Sequence, residues 1–390
     1  VPTLSMARRD DAPTSQRGDT LRDIMQLRLI VLIALALVAG GSVASWLGVR
    51  RLHFRKPPAP DAAPPLPAPT GRQRVALVVH PGKFNAGLAR DLVEVACAEA
   101  GWDPPLVFET TVLDPGFGQA CQALEAGADV VVAAGGDGTV RAVARAMAHQ
   151  TAVLGLIPLG TGNLLARNLG IPVADLAARV SDALHGGGRR IDMGRVELLN
   201  NRTGSRTGHV FLVMGGVGLD AVVVAATRDV LKEKVGWLAY SEAGFRSLPG
   251  RRQRMGISLD GQPTQSRTVH SVLFANCGRL PGGIELIPDS TLDDGFLDVV
   301  VISPRSILGW IWMGAKIVLR PRSVIPVINY YQARSVTVTV SEPTETQLDG
   351  DLAGVVTSLT VSIDPGALVV RSFPAPDSQR TRPLVRRVRG

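Results

Sequence analysis

Two short glycine clusters carry the clearest chemical signal in the chain. The apolar run Asp129-Val-Val-Val-Ala-Ala leads into Gly135-Gly136-Asp137-Gly138-Thr139, and Thr139 opens a helical pattern, Val-Arg-Ala-Val-Ala-Arg-Ala-Met. A strand that turns through glycines into a helix start leaves backbone N–H groups unpaired, with the positive end of the helix dipole behind them. Such a turn cradles an anion, and phosphate is the usual one. Glycines at a turn also simply permit positive φ. The phosphate reading gains weight from a second cluster, Pro158-Leu-Gly160-Thr161-Gly162-Asn163, which follows the next apolar run, Val153–Ile157. Two glycine loops at the ends of successive strands make one phosphate site at the carboxyl edge of a sheet.

Phosphoryl transfer also needs a base for the acceptor hydroxyl and cations to neutralise phosphate charge. Two acidic clusters lie far downstream. In Pro288-Asp289-Ser-Thr-Leu292-Asp293-Asp294-Gly295-Phe-Leu-Asp298, Asp289 and Asp294 are close enough in a turning loop to share a hard cation such as Mg²⁺, with backbone carbonyls completing the oxygen shell. A solvated turn is the plainer alternative. In Gln347-Leu-Asp349-Gly350-Asp351, the Asp-Gly pair is equally a hairpin turn signal. Lys83, in His80-Pro81-Gly82-Lys83, stands where it could reach nucleotide phosphates or a carboxylate, or is a solvated surface lysine.

The elements that must position these residues follow two patterns. Val75–Val79, Leu106–Glu109, Asp129–Ala134 and Val153–Ile157 read as strands, and Gly87–Ala100 and Gly118–Ala126 as helices between them. Alternating β and α with short links predict a parallel sheet covered on both faces. From Ile191 onwards, short alternating stretches separated by turn clusters predict an antiparallel sheet or sandwich. Its expected strands are His209–Met214, Met255–Leu259, Arg267–Asn276, Phe296–Ile302, Ser335–Val340, Ser358–Ile363 and Ala367–Arg371. Helical stretches interrupt it near Asp220–Lys232, Gly236–Ser247 and Ser306–Val318.

Gly-Gly-Asp-Gly-Thr followed by Pro-Leu-Gly-Thr-Gly-Asn resembles the diacylglycerol kinase catalytic domain, a family that includes sphingosine kinases and soluble bacterial lipid kinases. The first motif is shared with NAD kinases and phosphofructokinases; the second points to the lipid-kinase branch. The resemblance covers roughly residues 73–371. It implies an NAD kinase-like α/β nucleotide-binding domain over 73–190 and a β-sandwich substrate domain over 191–371, whose last strand returns towards the first domain. It implies ATP on Lys83, Gly135, Gly136, Asp137, Gly138, Thr139, Gly160, Thr161, Gly162 and Asn163. Pro281–Asp289 resembles the family segment that precedes a structural Mg²⁺, so that Asp289, Asp294 and the carbonyl of Leu292 would be its ligands. Gln347–Asp351 resembles the family's Asp-Gly-Glu, which makes Asp349 the general base and Asp351 its supporting acid, one methylene shorter than the usual Glu. His80 departs from the family's Asn, and the loop it opens looks short. Gly215-Gly216-Val-Gly218-Leu-Asp220 resembles a family turn and is expected to line the interdomain cleft.

Charge and hydropathy place the protein. The net charge is +8, yet residues 1–56 carry nine Lys and Arg against four Asp and residues 371–390 carry six Arg against one Asp, which leaves −2 for the rest. Basic ends on a core that is not basic suit an anionic membrane surface and argue against a nucleic-acid partner. Three scattered cysteines, Cys97, Cys121 and Cys277, suggest a reducing compartment. Residues 1–28 are polar and expected to be disordered, and Met6 and Met25 are alternative starts. Residues 29–49 contain no charge and are long enough to span a bilayer as one transmembrane helix. Arg50, Arg51, Arg55 and Lys56 follow, which keeps the downstream domains cytoplasmic. The rival is a cleaved signal peptide. The linker over 50–72 continues as a semi-rigid Pro/Ala spacer, and residues 372–390 form a basic disordered tail.

The expectation is therefore an ATP- and Mg²⁺-dependent kinase of a membrane lipid alcohol, diacylglycerol or a relative, held at the bilayer by one span. The alternatives are an NAD kinase-like phosphotransferase and a domain that binds nucleotide or lipid without transfer.

Overall fold

The computed structural model describes residues 66–67, 71–200, 202–218, 252–280, 284–287, 290–304 and 328–372. All of them belong to one compact unit, Lys56–Gly390. The expected membrane span, Asp289, Asp220, the helical stretches near 220–247 and 306–318, and the basic tail beyond Ser372 lie outside the described residues.

The first half alternates as its sequence pattern dictates. The strands are β1 (Val75–Val79), β2 (Leu106–Glu109), β3 (Val130–Gly135) and β4 (Val153–Pro158), and the helices are α1 (Ala86–Glu99), α2 (Phe117–Glu125), α3 (Asp137–Met147), α4 (Leu164–Asn168) and α5 (Leu176–His185). The four strands pair in parallel in the order β4-β3-β1-β2. Because side chains alternate across a strand, Val75, Leu77 and Val79 face α1 and α5, while Ala76 and Val78 face α2 and α3. Both faces are thus covered, which explains why β1 and β3 are apolar at every position. The helices α4 and α5 go beyond what the sequence pattern predicted. The second begins at Asp175, whose side chain accepts from the N–H groups of Ala177 and Ala178.

The second half is antiparallel. It runs β5 (Gly188–Asn200), β6 (Ser205–Phe211), β7 (Met214–Val217), β8 (Gln253–Leu259), β9 (Gln265–Val269), β10 (Ser271–Ala275), β11 (Arg279–Leu280), β12 (Ile284–Glu285), β13 (Leu297–Ile302), β14 (Ile328–Ala333), β15 (Ser335–Leu348) and β16 (Asp351–Arg371). Its core gathers Val196, Phe211, Phe274, Val299, Val338 and Val361. The stretches expected as two strands, Ser358–Ile363 and Ala367–Arg371, are one strand bent at a register shift between Asp364 and Leu368. The opposite holds for Arg267–Asn276, which divides at His270 into β9 and β10.

The halves share a single fourteen-stranded sheet among the described residues. Strand β16 pairs along β5, and its Val370 lies beside Leu154 of β4 in parallel. The last strand does return to the first domain. Leu66, within the expected spacer, is not free: it exchanges two backbone hydrogen bonds with Gly188, at 2.7 and 3.0 Å. Its neighbours Pro65 and Pro67 have no N–H to give, so Leu66 is the residue of that triplet able to make the exchange.

Candidate active site

The carboxyl ends of β3 and β4 present the two glycine loops side by side. Gly136 caps α3 with extended backbone. The Leu159 N–H donates to the Gly135 carbonyl at 2.8 Å, tying one loop to the other. A methyl group added at Gly160 would lie 2.7 Å from the Gly136 Cα, and one at Gly162 would lie 2.6 Å from Asp137 Oδ2. Only hydrogen at these positions lets the loops touch. Lys83 completes the convergence, with Nζ 3.7 Å from where a Gly136 Cβ would stand.

Two residues read as nucleotide contacts are spent on the loops themselves. The Asp137 carboxylate accepts the N–H of Asn163 at 2.9 Å and that of Leu164 at 2.6 Å. Burial raises its pKa against the pull of those N–H groups, and the nearby negative charge of Asp351 adds to the rise. Asn163 is buried in the left-handed region at φ 49°; its side-chain oxygen accepts from Gly160 N–H at 3.0 Å, and its amide donates to the Gly160 carbonyl at 2.7 Å. Thr139 is buried behind Gly135, whereas Thr161 is exposed. The surfaces left to a phosphate are the loop backbones, Thr161 and Lys83.

The second domain brings the Asp349 turn to the same helix. Leu348 and Asp351 pair across β15 and β16, and Asp349 and Gly350 between them have φ of 49° and 91°. Positive φ at both central residues is the tight hairpin that Asp-Gly favours. The turn alternative is thus correct as geometry, but it does not exhaust the role of Asp349. Its carboxylate folds inward and accepts three backbone N–H groups, from Leu212 at 2.9 Å, Val213 at 2.9 Å and Met214 at 3.1 Å. Its side chain is 3% exposed, and Arg141 Nη1 stands 3.9 Å from Oδ2. Burial raises its pKa; Arg141 and the three N–H groups oppose the rise. Three of the four acceptor positions of the carboxylate are thus taken by backbone N–H groups. Asp351 is half exposed and points back to the first glycine loop, 3.5 Å from where a Gly138 Cβ would be.

Arg141, absent from every motif above, joins the two halves of the site. It donates from Nη1 to the Leu348 carbonyl at 2.7 Å and from Nη2 to Asp351 Oδ2 at 2.8 Å.

The acidic loop is partly described. The Leu292 carbonyl accepts the Asp192 N–H at 2.7 Å. Asp293 pairs with Arg189 at 2.9 Å, and buried Asp294 accepts from Phe296 N–H at 3.0 Å. Asp192, which no motif contained, is buried and accepts from Gly295 and Gly366, each at 2.7 Å, bracing this loop against the bend in β16. Among the described residues, no three His, Cys, Asp or Glu side chains group to hold a metal. The donors that are present, a carboxylate and a carbonyl with a second lone pair, are oxygen only and suit Mg²⁺. Of the stretch expected to line the interdomain cleft, residues 215–218 are described and 219–220 are not. A Cβ on Gly215 would lie 2.3 Å from the Phe274 ring and 2.6 Å from Leu348, so this glycine makes room for core packing.

Comparisons agree with this arrangement. The profile for the diacylglycerol kinase catalytic domain matches residues 90–196, and that for the YegS C-terminal NAD kinase beta sandwich-like domain matches 214–372. The chain is 32% identical over 231 residues to a diacylglycerol kinase of Bacillus subtilis, covering 58% of this chain and 72% of that one. It is 26% identical over 291 residues to a diacylglycerol kinase of Staphylococcus saprophyticus, covering 73% and 90%. A diacylglycerol kinase crystal structure from Bacillus anthracis shares the fold at a TM-score of 0.60 and 23% identity, covering 79% of this chain and 99% of that one. With its catalytic-domain match, its sandwich match and its Bacillus subtilis relative, the chain belongs to the diacylglycerol kinase family, as an ATP-dependent phosphotransferase with an alcohol acceptor.

Proposed function

We propose that this kinase phosphorylates the hydroxyl of a membrane lipid alcohol, diacylglycerol or a close relative, at the seam between its two domains. The observation that carries the reading is the contact of the Asp349 turn with the helix that starts at the first glycine loop, made through Arg141. A donor phosphate on the backbones of Gly135–Thr139 and Gly160–Gly162, with Lys83 beside it, then lies on the same helix as the clamp on the acid. Asp349 takes the proton of the acceptor hydroxyl, and Asp351 supports it.

Asp289, Asp294 and the Leu292 carbonyl would hold Mg²⁺, which when bound supplies positive charge to the site. The protein's own groups bind and orient: the loops hold the phosphates in line, and Asp137 and Asn163 keep the loops in shape. Transfer of this kind relies mainly on positioning and charge stabilisation.

The charge-free run over 29–49, followed by four basic residues, supports a single membrane span with the kinase domains on the cytoplasmic side. Tethering suits a substrate that never leaves the bilayer, because confinement raises the frequency of encounter without new contacts.

The test is incubation of the full chain with labelled ATP and either total membrane lipid extract or NAD. Label in the organic phase is the expected result. Label on NAD, or ATP binding with no acceptor-dependent transfer, would replace the lipid assignment.

A further inference from the structure

Arg141 sits at the fifth position of α3, four residues after Asp137. Val140, Val143, Ala144 and Met147 are buried on the sheet side of that helix, so it cannot rotate, and Arg141 leaves from another face. Its guanidinium takes both sides of the Asp349 turn: the carbonyl of Leu348 just before it at 2.7 Å and the carboxylate of Asp351 just after it at 2.8 Å. These partners lie 207 and 210 positions away in the chain. A planar fork with several fixed donors can hold a carbonyl and a carboxylate at once, whereas a single ammonium cannot do so with the same geometry.

The fold does not depend on this clamp. The two halves are already joined through β16, which pairs with β5 along its length and with β4 at Val370. Arg141 itself is 22% exposed. What it adds is register between a cradle at the head of α3 and an acid on a two-residue turn.

We propose that Arg141 is a positioning residue for the transfer: it locks the Asp349 turn of the second domain onto the helix that begins at the phosphate cradle, so that donor and proton acceptor are held at a fixed separation. This rests on the reading of Asp349 as the base.

The electrostatics give the clamp a signature that a merely structural residue would lack. The charged and titratable groups around Asp349 are Arg141 from α3, Asp351 from its own turn and the buried thiol of Cys277 after β10. His209 lies further off, where burial and then the charges of Arg141 and Arg145 lower its pKa. Arg141 is therefore the cation set against two carboxylates. Its removal makes Asp349 hold its proton more tightly, which moves the acid limb of activity to higher pH.

The test uses the full chain with ATP and diacylglycerol in mixed micelles, comparing R141Q, R141K and D349N with the wild type, and with folding checked by circular dichroism and thermal melting. R141Q is expected to lose on the order of 10²-fold in kcat, with an unchanged KM for ATP and the acid limb displaced upward. R141K is expected to restore the position of the limb but only part of kcat. R141Q with wild-type kcat and an unmoved limb, beside an inactive D349N, overturns the clamp and leaves the base reading standing. An active D349N instead overturns the base reading. If R141Q fails to fold, R141K decides: full kcat overturns the proposal, and reduced kcat with the limb in place supports it.

Discussion

The carboxylate of Asp137 accepts the backbone N–H of Asn163, twenty-six positions further along the chain, at 2.9 Å. That bond and its companion to Leu164 turn two glycine loops into one rigid surface. The acidic residue in a phosphate-binding loop is at first sight out of place, since it would repel a phosphate. Here it is turned away and neutralised by N–H groups, so that it shapes the cradle without lining it.

Replacing Asp137 by Ala leaves those two N–H groups without their acceptor. A cost of about 2 kcal/mol in stability is expected, together with a rise of roughly tenfold in the KM for ATP. Urea unfolding and ATP-dependence assays check both, and an unchanged KM would show that the bond does not set the loop geometry.

Gly160→Ala tests the contact between the loops. Its new methyl group would lie 2.7 Å from the Gly136 Cα, which is backbone and cannot rotate aside. Nucleotide binding should be lost with secondary structure retained, as read by fluorescent-nucleotide titration and circular dichroism. Binding at wild-type affinity would mean that the loops are not held in contact in solution.

Much of this site was legible from local sequence. The two glycine loops, the Asp349 turn and the parallel strands are each built from neighbours in the chain, and glycine, turn and apolar signals mark them directly. What those side chains face was not legible. Asp349 meets the N–H groups of Leu212, Val213 and Met214, more than 130 positions away, and Arg141 meets the turn across 207. Such partners leave no local pattern, and Arg141 reads as one more polar residue on an amphipathic helix. The bend in β16 was hidden by Asp364-Pro365-Gly366, which as sequence is a turn and in the sheet is a bulge. Asp192 was missed for the same reason, because its donors, Gly295 and Gly366, come from two remote loops.

Asp182, on α5, is buried, and burial pushes its carboxyl from 3.8 up to about 6. The folded state therefore binds the proton more tightly than the unfolded chain. Stability from this group is greatest below about pH 4 and is lost as pH rises through about 6. Asp182→Asn should stabilise the protein by on the order of 2 kcal/mol at pH 8 and have little effect at pH 4. Thermal melts of both proteins across that range check the sign; a variant less stable at pH 8 would contradict it.

The proposed membrane span has its own test in the full chain. Leu35→Asp together with Leu37→Asp puts two carboxylates at the middle of the 29–49 run, at a cost of about 6 kcal/mol for insertion. The double variant should leave the membrane fraction while phosphorylating diacylglycerol in detergent micelles as the wild type does. Membrane retention equal to the wild type would remove the span from the account.

The most direct measurement is the turnover of Asp349→Asn on diacylglycerol micelles with labelled ATP. The substitution removes the proton acceptor and also turns an amide NH₂ towards backbone N–H groups that both oxygens now accept, so folding is checked beside activity by circular dichroism. The account predicts a loss of at least about 10²-fold in kcat with ATP still bound and the fold intact. Turnover close to that of the wild type would contradict it.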